Sequence, residues 1–352
     1  MSLGRTAHRG GPRSNTVTRR HFLKVAGLAG TAAVVGQVLV EQAAGAAVLS
    51  PRPLPPAVIP AGDFHMAVGP DGHLWLAEYT ANKIRRITSR GAVTTSEVPT
   101  PYSGPADITT GPDGNLWFTE DFGNKIARLT PAGDFTEFDV PGPASEPVAI
   151  AAGSDGNLWF LETTANRIGR ITTTGKITEF EVPTQNSSLQ HIVPGRHDDL
   201  WFTEGAGNKI GRITTTGAVT EFDIPTPGGM PHGLSVGPDG SVWFAQVSGN
   251  RIGRVTPAGA ITELPLPAPN SGPFHVVVGP DGHLWITEGN SNRIAQMSRA
   301  GVLMAEFDIP TPNSTPHIII PGPDGDLWFT EAGTNKIGRI TLTGAITEFD
   351  VA

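Results

Sequence analysis

The sequence predicts an all-β fold, a seven-bladed β-propeller with four antiparallel strands per blade. Three observations predict it. The seven tryptophans, Trp75, Trp117, Trp159, Trp201, Trp243, Trp285 and Trp328, follow one another at steps of 42, 42, 42, 42, 42 and 43 residues. A period of that size marks a propeller or a solenoid array. Each copy reads as four short strands separated by turn residues, which is the composition of a blade rather than of a strand-plus-helix repeat. No stretch after residue 47 keeps a helical period, and 44 Gly and 32 Pro punctuate the chain.

The last copy justifies the elements in order. His317–Pro321 is a short apolar first strand, and Pro323–Asp326 is a turn, because Asp and Gly tolerate the positive φ of tight hairpins. Leu327–Glu331 is the second strand and carries the tryptophan. Ala332–Asn335 turns the chain, Lys336–Thr341 is the third strand, Thr343-Gly344 turns again, and Ala345–Val351 is the fourth. Seven such copies fill roughly 295 residues, and closing them into a ring leaves no long free sheet edge.

Two segments precede the repeats. Residues 1–47 read as a twin-arginine-type export signal: Thr18-Arg19-Arg20-His21-Phe22-Leu23-Lys24, a weakly apolar stretch to Val40, and small residues at Ala44-Gly45-Ala46. The apolar stretch is too short and glycine-rich to prefer a membrane span. Residues 48–352 form the propeller domain, with a proline-rich lead-in to residue 60. The expected location is extracellular or in the cell envelope. The whole chain has 25 basic and 33 acidic residues. Without residues 1–47, 19 basic and 32 acidic residues remain, a net charge of −13. That balance disfavours nucleic acid and anionic membrane as partners. There is no cysteine, so neither a disulfide framework nor a lipid-anchored thiol is available. A monomer is expected.

Features shared by every blade read as scaffold. The tryptophans are core filler. The Asn seven residues after each Trp, from Asn82 to Asn335, is a turn residue of left-handed conformation. An acid stands three residues after six of the tryptophans, with Gln246 in blade 5, and a basic residue follows each of these Asn. The two are expected to face each other across the second hairpin as an ion pair.

Function is sought where the copies differ. Five histidines share the start of a first strand. His65, His191 and His275 lie ten residues before their Trp, and His232 and His317 lie eleven before. If the first hairpin is centred on its Asp-Gly, His65 lies opposite Glu78, His191 opposite Glu204 and His275 opposite Glu288. All five histidines would then meet a ring of carboxylates at one channel mouth, with Asp107, Tyr79, Tyr102, Phe122 and Gln246 on the same rim. His beside Glu suits a general base, and carboxylates with His can hold a divalent cation.

The run Pro-His-x-x-x-x-Gly-Pro-Asp-Gly-x-Leu-Trp-Phe-Thr-Glu, then Asn-Lys-Ile-Gly-Arg-Ile-Thr, then Gly-x-Ile-Thr-Glu-Phe-x-Ile-Pro-Thr-Pro, resembles the repeat of the virginiamycin B (streptogramin B) lyase family over residues 60–352. The resemblance implies a propeller that opens the ester of a cyclic depsipeptide antibiotic by elimination, a role in antibiotic resistance, and a magnesium ion that stabilises the enolate. It implies His317 as the base, Glu331 as a metal ligand and His275 as the second His; the site expected from these adds Glu288 on the metal and His275 or His232 orienting the substrate. His65, His191, Tyr79, Tyr102, Asp107 and Phe274 would line the peptide-like ligand. Two positions depart from the family pattern: Thr315 stands where the first metal acid is expected, and Phe274 where the second His is expected. Two other functions fit the same mouth, a secreted propeller that binds a peptide, glycan or protein without catalysis, and, by fold analogy, a lactone or ester hydrolase.

Overall fold

The computed structural model describes residues 64–88 and 91–351. The export signal and the proline-rich lead-in lie outside the described residues. Blade 1 consists of β1 (Phe64–Val68), β2 (Leu74–Glu78), β3 (Lys83–Ile87) and β4 (Val93–Glu97), hydrogen-bonded in that order. Six further four-stranded sheets span residues 105–139, 147–181, 189–223, 231–265, 273–308 and 316–350, each with its strands in chain order. The seven-bladed, all-β architecture is as expected.

Alternation along each second strand explains the packing. In β2, Trp75 and Ala77 face blade 2, while Leu74 and Leu76 face blade 7. Each blade therefore presents a tryptophan to the next blade and smaller apolar residues to the previous one. Six of the tryptophans stack on the Phe of a fourth strand or lie buried beneath an Arg, as where Trp201 lies 5.6 Å from Phe222 and 5.6 Å from the Arg212 guanidinium. Met66, Leu74, Leu76 and Ile87 of blade 1 pack with Trp328, Ile337 and Val351 of blade 7. Among the described residues the ring thus closes by side-chain packing, and no strand is exchanged between first and last blades.

The turn acid does more than form a turn. Asp71, Asp113, Asp155, Asp281 and Asp324 each accept the indole N–H of the tryptophan four residues later, at 3.0–3.2 Å. Six of the seven repeated Asn adopt the left-handed region, with φ of 52–58° at Asn82, Asn124, Asn166, Asn208, Asn250 and Asn292. Its amide also ties down the chain between blades. Asn166 Nδ2 donates to the carbonyls of Val182 and Thr184, and its Oδ1 accepts from the Ser187 amide and hydroxyl.

Candidate functional site at the channel mouth

The first hairpin sets the site. The Gly69 amide donates to the His73 carbonyl at 2.8 Å, and Gly72 sits at φ 70°. The loop is therefore three residues, Pro70 to Gly72, of the kind that ends in a left-handed glycine. It is not centred on Asp-Gly, and the register moves by one: Phe64 pairs with Glu78, and His65 with Ala77. Blades 2–7 add a β-bulge at the same level. Leu189 pairs with Glu204 and Ile192 with Phe202, which leaves Gln190 and His191 opposite Thr203. The Thr203 hydroxyl accepts the His191 amide at 3.1 Å and donates to the His232 carbonyl of the next blade at 2.9 Å. Thr287 does the same for the His275 amide and the His317 carbonyl. The expected pairs His65–Glu78, His191–Glu204 and His275–Glu288 are consequently not formed.

One residue of offset sorts the histidines into two layers. His65, Asp107, His191 and His275, all ten residues before their tryptophan, line a central cavity of about 390 Å³ walled by the first strands of all seven blades. His232, Phe274 and His317, all eleven before, form a separate stack. Phe274 lies 3.9 Å from each imidazole, tilted 37° to His232 and 6° to His317. The single rim expected to hold five histidines is two groups, because successive side chains of a strand point to opposite sides.

The inner group is tightly joined. His65 Nδ1 lies 3.1 Å from Asp107 Oδ1, and the His191 ring lies 6.3 Å from His65 and 5.1 Å, edge-on, from His275. Asp107 is fixed by the Ile108 amide on Oδ1 at 2.8 Å and the Ile150 amide of blade 3 on Oδ2 at 2.9 Å. Burial opposes its charge, but His65 and the amides outweigh that and hold its pKa below the usual carboxylate value. Burial pushes His191 down to about 4 and His275 well below the ordinary imidazole value, so both are neutral at pH 7. Gly233 of blade 5 makes room for His275, whose ring occupies the place a Cβ there would need.

The expected carboxylate ring lies elsewhere. Glu120, Glu162, Glu204, Glu288 and Glu331 are fully or almost fully buried on the blade faces. Each stands beside the acid of its own fourth strand, Glu137, Glu179, Glu221, Glu306 and Glu348. Burial, then the neighbouring acid, pushes Glu120 and Glu204 up to about 8 and the other three to about 7. Blade 5 shows what the pair wants, since the Gln246 amide donates to Glu263 Oε1 at 2.9 Å. A protonated Glu can make the same bond. The expected ion pair to the neighbouring basic residue forms instead between that residue and the fourth strand, as in Lys125–Asp139 at 2.5 Å and Arg167–Glu181 at 2.8 Å. The exception is Glu78, which binds Arg85 Nε at 2.7 Å.

Thr315 adopts φ 48°, which is strained for a β-branched residue. On the blade 1–2 side, Tyr79 donates to Asp121 Oδ2 at 2.5 Å and packs 5.3 Å from Phe122. Burial raises Asp121 to about 6. Tyr102 and Phe122 are exposed. The sequence signal that could have separated the inner group was its common offset from tryptophan, with small Ala149 and Gly233 at the same offset in blades 3 and 5.

Comparison with known proteins agrees with this fold. The family model described as the Virginiamycin B lyase family matches residues 55–325 and 236–352. Selenomethionine-substituted virginiamycin B lyase from Staphylococcus aureus is 40% identical, with a TM-score of 0.75 over 79% of this chain and 94% of that one. A streptogramin B lyase structure is 36% identical, with a TM-score of 0.76 over 83% and 95%. A catalytically inactive histidine-to-alanine variant of the S. aureus lyase, with quinupristin, is 38% identical, with a TM-score of 0.76 over 82% and 98%. No curated protein sequence matches. With a family match spanning most of its length and these lyases 36–40% identical, the chain belongs to the virginiamycin B lyase family.

Proposed function

We propose that the protein is a lyase that opens the ester of a cyclic depsipeptide of the streptogramin B class by elimination, with His317 as the base. The observation that carries this reading is the seat of His317: it occupies the bulge of the last blade's first strand, its carbonyl accepts the Thr287 hydroxyl at 2.6 Å, and its ring stacks on Phe274. Support also comes from the inactive histidine-to-alanine relative with quinupristin. In the step, an imidazole nitrogen takes the α-proton. The C–H pair becomes the double bond between the α and β carbons, the β-carbon–oxygen bond breaks, and its pair leaves on the carboxylate. Neither water nor mass is gained. His232, in van der Waals reach of the other face of Phe274, orients the ligand.

The residues present do not make the magnesium site that the resemblance implies. Glu331 and Glu288 are two of five equivalent buried acids, each held by its own blade's neighbours. The acid that would single out Glu331 is Thr315, which is neutral and a poor magnesium ligand. No step is therefore routed through a metal at Glu331 or Glu288. Phe274 and Thr315 favour a second reading, a propeller that binds a peptide-like ligand on the His232–Phe274–His317 stack without turnover. Incubation with a streptogramin B followed by mass spectrometry separates the readings. A linear product of unchanged mass supports elimination. Intact ligand that co-elutes with the protein supports binding only, and gain of one water means hydrolysis.

Export by the twin-arginine route is part of the proposal, and it rests on Arg19 and Arg20. Arg19→Lys with Arg20→Lys should trap the chain in the cytoplasm of its host. Unaltered export of that double variant contradicts the assignment.

A further inference from the structure

We propose that the inner group of the channel, His65, Asp107 and His191, binds one divalent transition-metal ion of the zinc class. The proposal is independent of the lyase reading, which uses the other layer. Ligand atoms of these three residues lie within 4.8 Å of one another, and they are the one such His/acid group among the described residues. Zinc bonds of about 2.0–2.2 Å put neighbouring ligand atoms roughly 3–3.5 Å apart. The 3.1 Å between His65 Nδ1 and Asp107 Oδ1 already has that spacing, and loading asks that the His191 nitrogen close in from within 4.8 Å.

Three further features are those of a built site. The carboxylate is oriented by two backbone amides from two different blades, the outer support that metal-binding acids receive elsewhere. His191 Nδ1 and His275 Nδ1 are buried without a hydrogen-bond partner, although buried ring nitrogens normally have one. His275, only 4% exposed, packs edge-on against His191 and holds the His191 ring in place. Gly233 admits its ring. The donor set, imidazole nitrogens with one carboxylate, selects zinc, cobalt or iron over magnesium, which prefers oxygen ligands. The rest of the cavity lies beside the ion, so a coordination position stays open to a small ligand.

The test uses the whole untagged chain, loaded with Zn²⁺ and dialysed against metal-free buffer before elemental analysis. Wild type and Glu331→Gln should retain one zinc per chain; His191→Ala and Asp107→Asn should retain less than a tenth of that. Cobalt loading should give visible absorption in wild type and Glu331→Gln but not in His191→Ala or Asp107→Asn. Asp107→Asn removes a buried carboxylate that holds two amides, so near-ultraviolet circular dichroism of the tryptophans must first show it folded. His65→Gln, which leaves the Asp107 carboxylate in place, serves if it is not. Wild type retaining no zinc, or folded His191→Ala and His65→Gln retaining as much as wild type, overturns the proposal. A loss in Glu331→Gln instead would overturn it by moving the site to the blade face.

Discussion

At the residue scale, one position tells most about the scaffold. Gln246 stands where the six other blades have a buried Glu, five of them beside a fourth-strand acid and one, Glu78, bound to Arg85, and it bonds the fourth-strand acid as a neutral donor. The five glutamates must be protonated to do the same. Their folded pKa values, about 7 to 8, exceed the ordinary value near 4.5. The folded state therefore holds protons that the unfolded chain releases above pH 4.5. Their stabilising effect is complete below that pH and is lost as pH rises through 7 to 8. Thermal melts should show Tm falling from pH 5 to pH 8.5. Glu204→Gln should flatten part of that fall and stabilise the protein at pH 8.5 by roughly 1–3 kcal/mol, the usual cost of a buried group left unsatisfied. A Tm that rises over this range contradicts the protonated pair. The sequence made these acids visible but not their partners, because the fourth-strand neighbour lies across two register steps. Ion-pair reasoning chose the adjacent lysine instead.

At the element scale, strand number, strand order and turn positions were legible from the tryptophan period. The register of the first hairpin was not. Asp-Gly reads as a two-residue loop, but Gly69 pairs with His73 around three residues, and a one-residue slip turns every side chain to the other face. The bulge at Gln190-His191 then adds a residue that no periodicity announces. Together they separate His191 from His232, which the sequence had placed on one rim. The Asn straps are the other unforeseen device. Left-handed geometry was expected, but the four hydrogen bonds at Asn166 were not. Asn166→Ala should lower stability by about 2–4 kcal/mol, since it strains the turn and leaves buried backbone groups without partners. A melt within a degree of wild type would show the strap to be incidental.

At the scale of the whole molecule, the ring serves chiefly to bring one short strand from every blade to the axis. The scaffold is nearly sevenfold, so function resides in the few places where it is not. Blades 1, 2, 4 and 6 supply the inner His/Asp group, and blades 5, 6 and 7 supply the stacked His–Phe–His group. Family membership was legible from the repeat, and Thr315 and Phe274 mark where this member departs from the pattern. The two layers offer different chemistry: an imidazole and carboxylate cluster inside the cavity, and a half-buried His–Phe–His stack on the other layer.

The central claim is that His317 removes the α-proton of a bound cyclic depsipeptide. It is tested most directly by kcat/KM for a streptogramin B in His317→Ala, measured alongside Tm. We expect a fall of about 10²–10⁴-fold, the usual worth of a positioned base, with Tm little changed because the ring is half-buried and lies outside the apolar cluster that joins blades 6 and 7. Turnover within twofold of wild type in that variant would contradict the claim.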